Sequence, residues 1–248
     1  MNLASQKILI TGASRGIGRA CAELCAAHGA SCVLVARDAD KLEAVRSALP
    51  GEGHIALSAD LSDPEQAVPE LFKKACADNI KFTGMIHAAG VCSPIPLKVV
   101  NLKTMSEVFT INYFAFMLLI RYFIRPQYST GGSIVGISSV ASVTGWQGMS
   151  VYSGSKGAMN ASIRSLALEL AGKGFRLNAI LPSNIKTDML DSMLSVLDAE
   201  EVEKIKSKQP LGWGNPADVA NAALFLLDKS SSFITGSVLP VDGGYTAI

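Results

Sequence analysis

Short apolar runs alternate along the chain with longer segments in which apolar residues recur at helical spacing. The short runs predict strands at 7–11, 31–36, 54–58, 84–88, 133–137, 176–181 and 238–241. The longer segments predict helices at 17–28, 40–49, 63–78, 102–125, 152–171 and 216–227, with a further helical excursion near 188–207. Two of these starts, Asp63-Pro64 and Asn215-Pro216, place a capping side chain before a proline at the first helical position.

This alternation of strand and helix predicts an α/β fold, a doubly wound, Rossmann-like parallel sheet of about seven strands with helices on both faces. The alternation continues from end to end without a repeat, a low-complexity tract or a linker, so residues 1–248 are expected to form a single domain. Right-handed crossovers bring the carboxyl ends of the strands to one edge of the sheet, where ligands bind.

Three glycines follow the first strand at the spacing G-x-x-x-G-x-G. Glycine permits a tight turn and a close ligand, and the N–H groups that start the next helix favour an anion. A purely structural turn is the alternative for so short a pattern. Its place between the first strand and the first helix favours an NAD(P) phosphate site, with expected contacts at Gly12, Ser14, Arg15, Gly16, Ile17 and Gly18.

Arg37 follows the second strand, where an NAD-selective enzyme is expected to present an acidic residue to the ribose 2′-hydroxyl. Arg15 is a second cation that can reach the same place, and two guanidinium groups suit a 2′-phosphate. We therefore expect NADP(H) in preference to NAD(H), the alternative being two solvated arginines. The other expected cofactor contacts are Asp60 and Leu61 at the adenine, and His87, Ala88 and Gly90 near the ribose.

Tyr152 and Lys156 open a predicted helix at positions i and i+4, so their side chains leave the same helical face. A phenol titrates near 10. A neighbouring ammonium, together with the positive nicotinamide ring, favours the phenolate, so Lys156 and the cofactor are expected to lower the pKa of Tyr152. Ser139 ends the fifth strand, and its hydroxyl can hold a substrate carbonyl during hydride transfer. The pattern predicts acid–base chemistry at this end of the sheet.

These features resemble the short-chain dehydrogenase/reductase family over essentially the whole chain. The resemblance is carried by T-G-A-S-R-G-I-G at 11–18, Asn112, Ser139, Y-S-G-S-K at 152–156, N-A-I-L-P at 178–182, Thr187-Asp188 and V-D-G-G at 241–244. It implies that Tyr152 is the general acid, that Lys156 lowers its pKa and binds the nicotinamide ribose, and that Ser139 orients the substrate. It also implies that Asn112 holds a water linked to Lys156, where a satisfied core asparagine is the alternative, and that Ile185 and Thr187 contact the nicotinamide and its carboxamide or phosphate.

The overall pattern is most similar to the 3-oxoacyl-[acyl-carrier-protein] reductases, with three departures. The usual N-N-A-G reads His87-Ala88-Ala89-Gly90, the usual Pro-Gly reads Pro182-Ser183 followed by Asn184, and Met149 replaces a frequent Gln. The first departure leaves the ribose contact at His87 open. The others concern the substrate, since the residues expected to border its pocket are Ser139, Trp146, Met149, Tyr152, Ser183 and Asn184.

The leading hypothesis is an NADPH-dependent reductase that converts a ketone, with a 3-oxoacyl thioester as candidate, into a secondary alcohol. An alcohol, sugar or polyol dehydrogenase of the same family is the alternative within the enzyme class, favoured by the polar Ser183 and Asn184. A catalytically silent dinucleotide-sensing protein is the alternative from another class. The presence of Asn112, Ser139, Tyr152 and Lys156 favours an enzyme over a sensor.

Composition narrows the partners and the compartment. Lys and Arg number 22 against 21 for Asp and Glu, which gives no electrostatic case for nucleic acid or an anionic membrane. The five cysteines form no C-x-x-C pair and the three histidines lack ligand spacing, so we expect reduced thiols in a cytoplasmic protein and no metal. No amino-terminal signal is expected before the first strand, and Asn112 and Arg121 interrupt the apolar stretch 108–124.

The resemblance also implies a homotetramer that associates through the helices near 102–125 and 152–171. The residues expected to carry surplus apolar surface are Phe114, Phe116, Met117, Leu118, Tyr122 and Phe123, the alternative being that they all face the sheet. An acyl carrier protein is a candidate partner besides the small carbonyl substrate, with Arg125 and Lys173 as expected contacts near the cleft. The segment 189–208 is expected to form a mobile lid over the substrate.

Overall fold

Each predicted strand is present in the computed structural model, which describes residues 1–195 and 197–247. The strands are β1 (Lys7–Thr11), β2 (Ser31–Ala36), β3 (Ile55–Ser58), β4 (Gly84–His87), β5 (Gly132–Ile137), β6 (Phe175–Pro182) and β7 (Val238–Val241). They pair in parallel in the order β3-β2-β1-β4-β5-β6-β7. The predicted α/β fold with a seven-stranded parallel sheet is confirmed.

The helices fall close to the predicted segments. They are α1 (Gly16–Ala27), α2 (Ala39–Ala48), α3 (Pro64–Ala75), α4 (Leu102–Phe109), α5 (Ala115–Phe123), α6 (Ser150–Ala171), α7 (Asp188–Leu194), α8 (Ala199–Ser207) and α9 (Pro216–Leu227). The predicted helix 102–125 is interrupted by a π-helical turn at Thr110–Phe114. The excursion near 188–207 consists of α7 and α8, and Val196 between them lies outside the described residues.

Both proline-led helix starts are present, with different hydrogen bonds. The Asp63 carboxylate accepts from the backbone N–H of Gln66 at 3.3 Å, as a capping side chain does. At Asn215 the carboxylate of Asp218 accepts from the backbone N–H of Asn215 at 2.7 Å. Each arrangement satisfies a donor that the first helical turn leaves without an intrahelical partner.

The two faces of the sheet carry separate hydrophobic cores, because side chains alternate along each strand. In β1, Ile8 and Ile10 pack with α1, α2 and α9 on one face, whereas Leu9 packs with α3, α5 and α6 on the other. All five residues of β1 are buried. This central position of β1 fixes where the chain leaves the sheet at Thr11.

The chain order reverses between β1 and β4, which are neighbours in the sheet although two strands separate them in sequence. Their pairing ends at Thr11 and His87. In a parallel doubly wound sheet the crevice for a ligand opens outside the strand ends at such a reversal. The glycine turn after Thr11 and the small residues after His87 therefore face each other across this crevice.

The aromatic residues of α5 are mostly core residues. Phe116 and Phe123 are completely buried, and Tyr122 lies on Phe72 with 5.9 Å between ring centroids. Phe114, on the π-helical turn, is 47% exposed. The expected surplus of apolar surface is therefore confined to part of this stretch.

Among the described residues, helices both long and apolar enough to span a bilayer are absent.

Candidate active site

A cleft of about 380 Å³ opens at the carboxyl ends of β1, β2 and β4. Its walls are the glycine turn, the end of β2, and the loops after β3 and β4. The predicted cofactor residues that line it are Gly12, Ser14, Arg15, Gly16, Ile17, Gly18, Arg37, Asp60, Leu61, Ala88, Gly90 and Thr187. Residues far apart in sequence are thus brought to one place by the switch in strand order.

The floor of this cleft has no room for side chains. Gly12 has a φ of +70°, and a Cβ there would lie 2.7 Å from the amide nitrogen of Ala89 and 2.8 Å from the carbonyl oxygen of Ala88. A Cβ on Gly18 would overlap the carbonyl group of Gly12. Among the described residues, no side chain caps the first turn of α1. The cleft therefore fits a dinucleotide, whose pyrophosphate needs close backbone and free N–H donors.

Three cations line the cleft: Arg15 on the glycine turn, Arg37 after β2 and Lys41 on α2. The Lys41 ammonium lies 3.2 Å from the Asp38 carboxylate. The Arg15 guanidinium lies 3.2 Å from the carboxylate of Asp188 at the start of α7, with both side chains about two-thirds exposed. Sequence reasoning missed Lys41, although its position four residues after Arg37, in the first turn of a helix, is a usable signal.

His87 lies in the core rather than in the cleft. Its Nδ1 is 2.9 Å from Thr11 Oγ1, its ring centroid is 5.3 Å from that of Phe116, and it is completely buried. Burial, followed by the charge of Lys156, lowers the pKa of His87 to about 3, so the ring is neutral. The ribose contact that the sequence leaves open at His87 is therefore not made by the imidazole, which joins the ends of β1 and β4 instead.

Asn112 stands on the π-helical turn between α4 and α5 and is completely buried. Its Oδ1 accepts from the Val91 N–H at 2.8 Å, and its Nδ2 donates to the Val91 carbonyl and to Ser155 Oγ, each at 3.0 Å. Both amide protons are therefore committed to protein atoms. The side chain clamps the loop after β4 to α6, and π-helical turns of this kind occur frequently at functional sites.

A second cavity, of about 320 Å³, opens at the ends of β5 and β6 and contains Ser139, Tyr152 and Lys156. The Lys156 ammonium donates to the Ile137 carbonyl at 2.8 Å and lies 5.9 Å from the centroid of the Tyr152 ring. Ser138 Oγ donates to the Lys156 carbonyl at 3.3 Å, so Ser138 holds α6 against β5. Ser139 is left to hydrogen-bond with the Tyr152 hydroxyl.

Burial dominates the titration of Tyr152 in the protein alone. Burial, assisted by the neighbouring Cys92 thiol, raises the pKa of Tyr152 well above its usual value, and the hydrogen bond from Ser139 opposes this only in part. Burial also lowers the pKa of Lys156, to about 8. The pKa of Tyr152 is thus not lowered in the protein alone, and the expected lowering, which involves the positive nicotinamide ring together with Lys156, stays a prediction for the protein with bound cofactor. At neutral pH the site holds a protonated phenol beside an ammonium.

The substrate side of this second cavity combines polar and apolar residues. Of the expected pocket residues, Ser139, Met149, Tyr152, Ser183 and Asn184 line it, together with Ile185. Residues that sequence reasoning missed are Cys92, Ser93 and Pro94, whereas Met189, Leu190 and Met193 come from the segment that was expected to lie over the substrate. Burial raises the pKa of the Cys92 thiol to about 11. The position of Cys92, two residues after Gly90 in the loop that follows β4, was a signal for this lining.

Trp146 is not among the residues that line the cavity, although it was expected there. Its indole stacks on Tyr245 near the carboxyl end of the described chain, with 5.7 Å between ring centroids. The Lys208 ammonium covers it at 5.7 Å. The returning chain end thus covers the face of the indole.

Arg125 and Lys173 lie at the opposite edge of the sheet from this chain's own cleft. Arg125 follows α5 and Lys173 follows α6, just before β5 and β6 begin at Gly132 and Phe175. The site is at the other end of these strands, and a six-residue strand spans about 20 Å. The expectation that these two cations lie near the cleft of the same chain is therefore wrong.

The two cavities are joined. Ile17, Ala88, Gly90, Thr187 and Met189 line both of them. A long ligand that begins beside Arg37 can therefore reach the cavity that contains Tyr152. This continuity places the reactive end of a dinucleotide beside the phenol.

Replacing Lys156 with Met is expected to raise the free energy of unfolding at pH 7, by about 3 kcal/mol at most. Burial lowers the pKa of Lys156 from 10.5 to about 8, so the ammonium is held in the fold at a cost. Between the folded pKa of about 8 and the unfolded pKa of 10.5, the unfolded chain binds more protons than the folded protein. The wild type therefore gains stability as pH rises through this range, and the stability difference between the variant and the wild type shrinks. Urea unfolding from pH 7 to 10 measures this.

The exposed Lys103 on α4 supplies the control, since Lys103→Met should change stability little and equally at each pH. A Lys156→Met variant that is less stable than the wild type at pH 7 would contradict the prediction. That outcome would mean that the hydrogen bond to the Ile137 carbonyl outweighs desolvation of the ammonium.

Comparison with known proteins agrees with this geometry. Residues 12–246 match the family model described as enoyl-(acyl carrier protein) reductase. The chain is 37% identical to carbonyl reductase family member 4 of Danio rerio over 97% of its length and 98% of that protein. It is also 37% identical to a 3-oxoacyl-[acyl-carrier-protein] reductase of Bos taurus, over 95% of each chain.

The fold comparison gives the same result. A short-chain type dehydrogenase/reductase from Mycobacterium ulcerans superposes with a TM-score of 0.91 at 29% identity, over 100% of this chain and 92% of that one. The match extends across the glycine turn, the Tyr152–Lys156 helix and the segment after β6. The chain therefore belongs to the short-chain dehydrogenases/reductases, NAD(P)-dependent oxidoreductases that act on CH–OH and carbonyl groups.

Proposed function

We propose that the protein is an NADPH-dependent reductase that converts a ketone into a secondary alcohol, with a 3-oxoacyl thioester as the leading substrate. The observation that carries the proposal is a protonated phenol, Tyr152, that shares a cavity with Ser139 and Lys156. This cavity is continuous with the cleft that fits a dinucleotide. The relatives named above include a reductase of 3-oxoacyl groups and a carbonyl reductase, which supports the same direction of chemistry.

When bound, the cofactor supplies the hydride that reaches the carbonyl carbon. Ser139 donates a hydrogen bond to the carbonyl oxygen and orients it. Tyr152 gives its phenolic proton to that oxygen as negative charge develops there, so the C=O bond becomes CH–OH. The Lys156 ammonium, 5.9 Å from the phenol ring centroid, stabilises the phenolate that remains.

Reduction uses Tyr152 in its protonated form, which is the form that burial favours at neutral pH. A phenol that stays protonated is ready to donate, whereas alcohol oxidation needs the phenolate as base. The alternative function, an alcohol, sugar or polyol dehydrogenase, draws its support from the polar Ser183 and Asn184 in the cavity. A silent dinucleotide sensor would have no need for Ser139, Tyr152 and Lys156 in one cavity.

NADPH oxidation is expected with a 3-oxoacyl thioester, and Tyr152→Phe is expected to lower kcat/KM about 100- to 10,000-fold because the proton donor is lost. The assay compares the thioester with a panel of ketoses and small ketones. Tyr128→Phe, which removes a hydroxyl remote from the cavity, is the matched control and should retain activity.

The alternative outcomes separate the functions. Tyr152-dependent turnover of a sugar or alcohol without thioester turnover would move the protein to the dehydrogenase function. Tight NADPH binding without turnover of any substrate would instead favour the sensor. Equal activity in the wild type and in Tyr152→Phe would overturn the assigned role of the phenol.

The preference for NADPH is proposed from Arg15, Arg37 and Lys41, which line the cleft. Guanidinium groups bind phosphate in a bidentate manner, and an ammonium adds a third positive charge. Asp38 does not oppose them, because its carboxylate accepts from the Lys41 backbone N–H at 3.0 Å and pairs with the Lys41 ammonium. The Asp38 carboxylate is thus already engaged.

Arg37→Asp is expected to raise the Kd for NADPH by about 100-fold and to leave the Kd for NADH within about threefold, because the variant repels a 2′-phosphate but can accept from a 2′-hydroxyl. Fluorescence titration of both cofactors measures the two constants. Lys73→Asp on α3 makes the same charge change on an exposed surface and is the control. A parallel loss for NADH and NADPH would contradict the role of Arg37.

A homotetramer is proposed from apolar surface on α4, α6 and the π-helical turn. Leu102 is 75% exposed, Leu168 is 85% exposed and Phe114 is 47% exposed. Exposed apolar surface of this kind marks contacts between chains. An acyl carrier protein remains a candidate partner, for which the thioester assay with carrier-linked and free substrates is the direct comparison.

Sedimentation equilibrium is expected to give four times the chain mass of 26.0 kDa. Combining Phe114→Glu with Leu168→Glu should lower that mass, because two charges would be buried in the contact. Ile80→Ser, which removes an exposed apolar side chain elsewhere, should leave the mass unchanged. A monomeric wild type would contradict the proposed assembly.

A further inference from the structure

The wall of the substrate cavity that follows β6 contains two polar side-chain atoms without a hydrogen-bond partner. These are Ser183 Oγ and Asn184 Nδ2, and both residues line the cavity. Asn184 is only 8% exposed, so bulk water does not serve its amide. A buried donor without an acceptor is unfavourable and calls for an explanation. A ligand atom that accepts from these groups would supply one.

The backbone of Asn184 already forms hydrogen bonds within the protein. Gln209 Oε1 accepts from the Asn184 N–H at 3.2 Å, and the Asn184 carbonyl accepts from the Gly214 N–H at 3.1 Å. Ile185 then pairs with Gly214 in an isolated parallel bridge. The segment is therefore fixed before a ligand arrives, and its side-chain donors remain available. Fixed donors lose little freedom on binding, which favours their use in recognition.

The sheet register places this wall next to the reacting carbonyl. β5 and β6 pair as far as Ile137 and Ile180, and the Ser138 N–H continues the pairing by donating to the Ile180 carbonyl at 2.8 Å. Neighbouring strands lie about 5 Å apart. Ser139 and Ser183 therefore leave adjacent strand ends. A substrate whose carbonyl meets Ser139 presents atoms only a few bonds away to Ser183 and Asn184.

The charge of the cavity restricts the chemistry of those atoms. Among the described residues that line it, Lys156 is the only one with a charged side chain. Among these residues, a ligand carboxylate or phosphate beside Asn184 would have no cationic side chain other than Lys156 to pair with. Besides these donors and the hydroxyl groups of residues such as Ser139 and Tyr152, the lining includes the apolar Met149, Leu190 and Met193, against which some of the many hydroxyl groups of a sugar would stay unpaired. One neutral oxygen followed by an apolar chain fits this arrangement.

We propose that Ser183 and Asn184 are specificity-determining residues that donate hydrogen bonds to a second, uncharged oxygen of the substrate, such as the thioester carbonyl of a 3-oxoacyl compound. The inference rests on the proposed reductase function and adds the residues that separate a 1,3-dicarbonyl substrate from a simple ketone. Neither residue takes part in proton or hydride transfer, so both kinds of ketone would still use Tyr152.

The test compares two substrates of equal chain length, a 3-oxoacyl N-acetylcysteamine thioester and a ketone that lacks the second carbonyl. Asn184→Leu keeps the size of the side chain and removes its donor. It should lower kcat/KM for the thioester about 10- to 100-fold and change that for the ketone less than about threefold. Ser183→Ala should act in the same direction. Met149→Leu, an apolar exchange in the same cavity, should affect both substrates alike.

A binding measurement that does not need turnover accompanies the assay. Calorimetry on the NADP⁺-loaded protein compares a 1,3-diketone with the matched monoketone, since oxidised cofactor cannot reduce either. The wild type should bind the diketone about tenfold more tightly, and Asn184→Leu should remove this difference. Thermal unfolding of each variant checks that it is folded.

The outcomes keep the two proposals apart. Equal loss on both substrates, or no loss on the thioester, would overturn the role of Asn184 while leaving Tyr152-dependent reduction intact. If the wild type reduced no ketone, the proposed function would fail, and calorimetry would still test the binding site for the second oxygen. A diketone preference that depends on Asn184 would uphold the second oxygen site, and equal binding of the two ketones would overturn it.

Discussion

The common direction of the seven strands is the constraint on which the site depends. Because every strand ends at the same edge, the glycine turn after β1, the loop after β4, Ser139 after β5 and Ser183 after β6 meet there although they are far apart in sequence. The reversal of strand order between β1 and β4 then opens the cleft at that edge. If β1, β4, β5 or β6 ran antiparallel to the others, the group that follows it would lie at the opposite edge of the sheet.

Within this frame, the buried Lys156 is the costly element. Its ammonium has one protein acceptor, the Ile137 carbonyl, and burial pulls its pKa down to about 8. A neutral side chain would fit the core better, so retention of a cation there is expected to serve chemistry rather than stability. The same desolvation raises the pKa of Tyr152, so both groups keep their protons at neutral pH: a neutral phenol stands beside a positive charge.

The sequence is informative wherever the signal is local. Strand and helix periods, the glycine turn and the Tyr152–Lys156 spacing depend on neighbours within a few residues, and the structure has each of them in place. Other outcomes depend on distant chain segments. Trp146 is covered by Tyr245, which returns from the carboxyl end, and the imidazole of His87 meets Thr11 inside the sheet. Periodicity carries no information on such contacts.

The same limit applies to electrostatics and to direction along a helix. Lowering of the Tyr152 pKa by Lys156 is reasonable from spacing alone, but desolvation depends on how much protein surrounds the hydroxyl, and here it dominates. Arg125 and Lys173 follow helices whose other ends approach the site. Their distance from the cleft depends on which end of each helix lies at the carboxyl edge of the sheet. The direction of β5 and β6 determines this, because each strand starts at the opposite edge, soon after the helix ends.

The segment after β6 joins both halves of the site through one piece of backbone. Ser183 and Asn184 line the substrate cavity, and Thr187, three residues after Asn184, lines both cavities. Thr187 Cγ2 would lie only 3.3 Å from a Cβ on Gly16, and Asp188 pairs with Arg15 of the glycine turn. Gln209 and Gly214 hold the backbone of this segment at Asn184, so its two ends do not move independently of each other. Selection of the substrate and contact with the cofactor are therefore expected to respond together to changes in residues 183–188, even where a change touches only one of the two ligands.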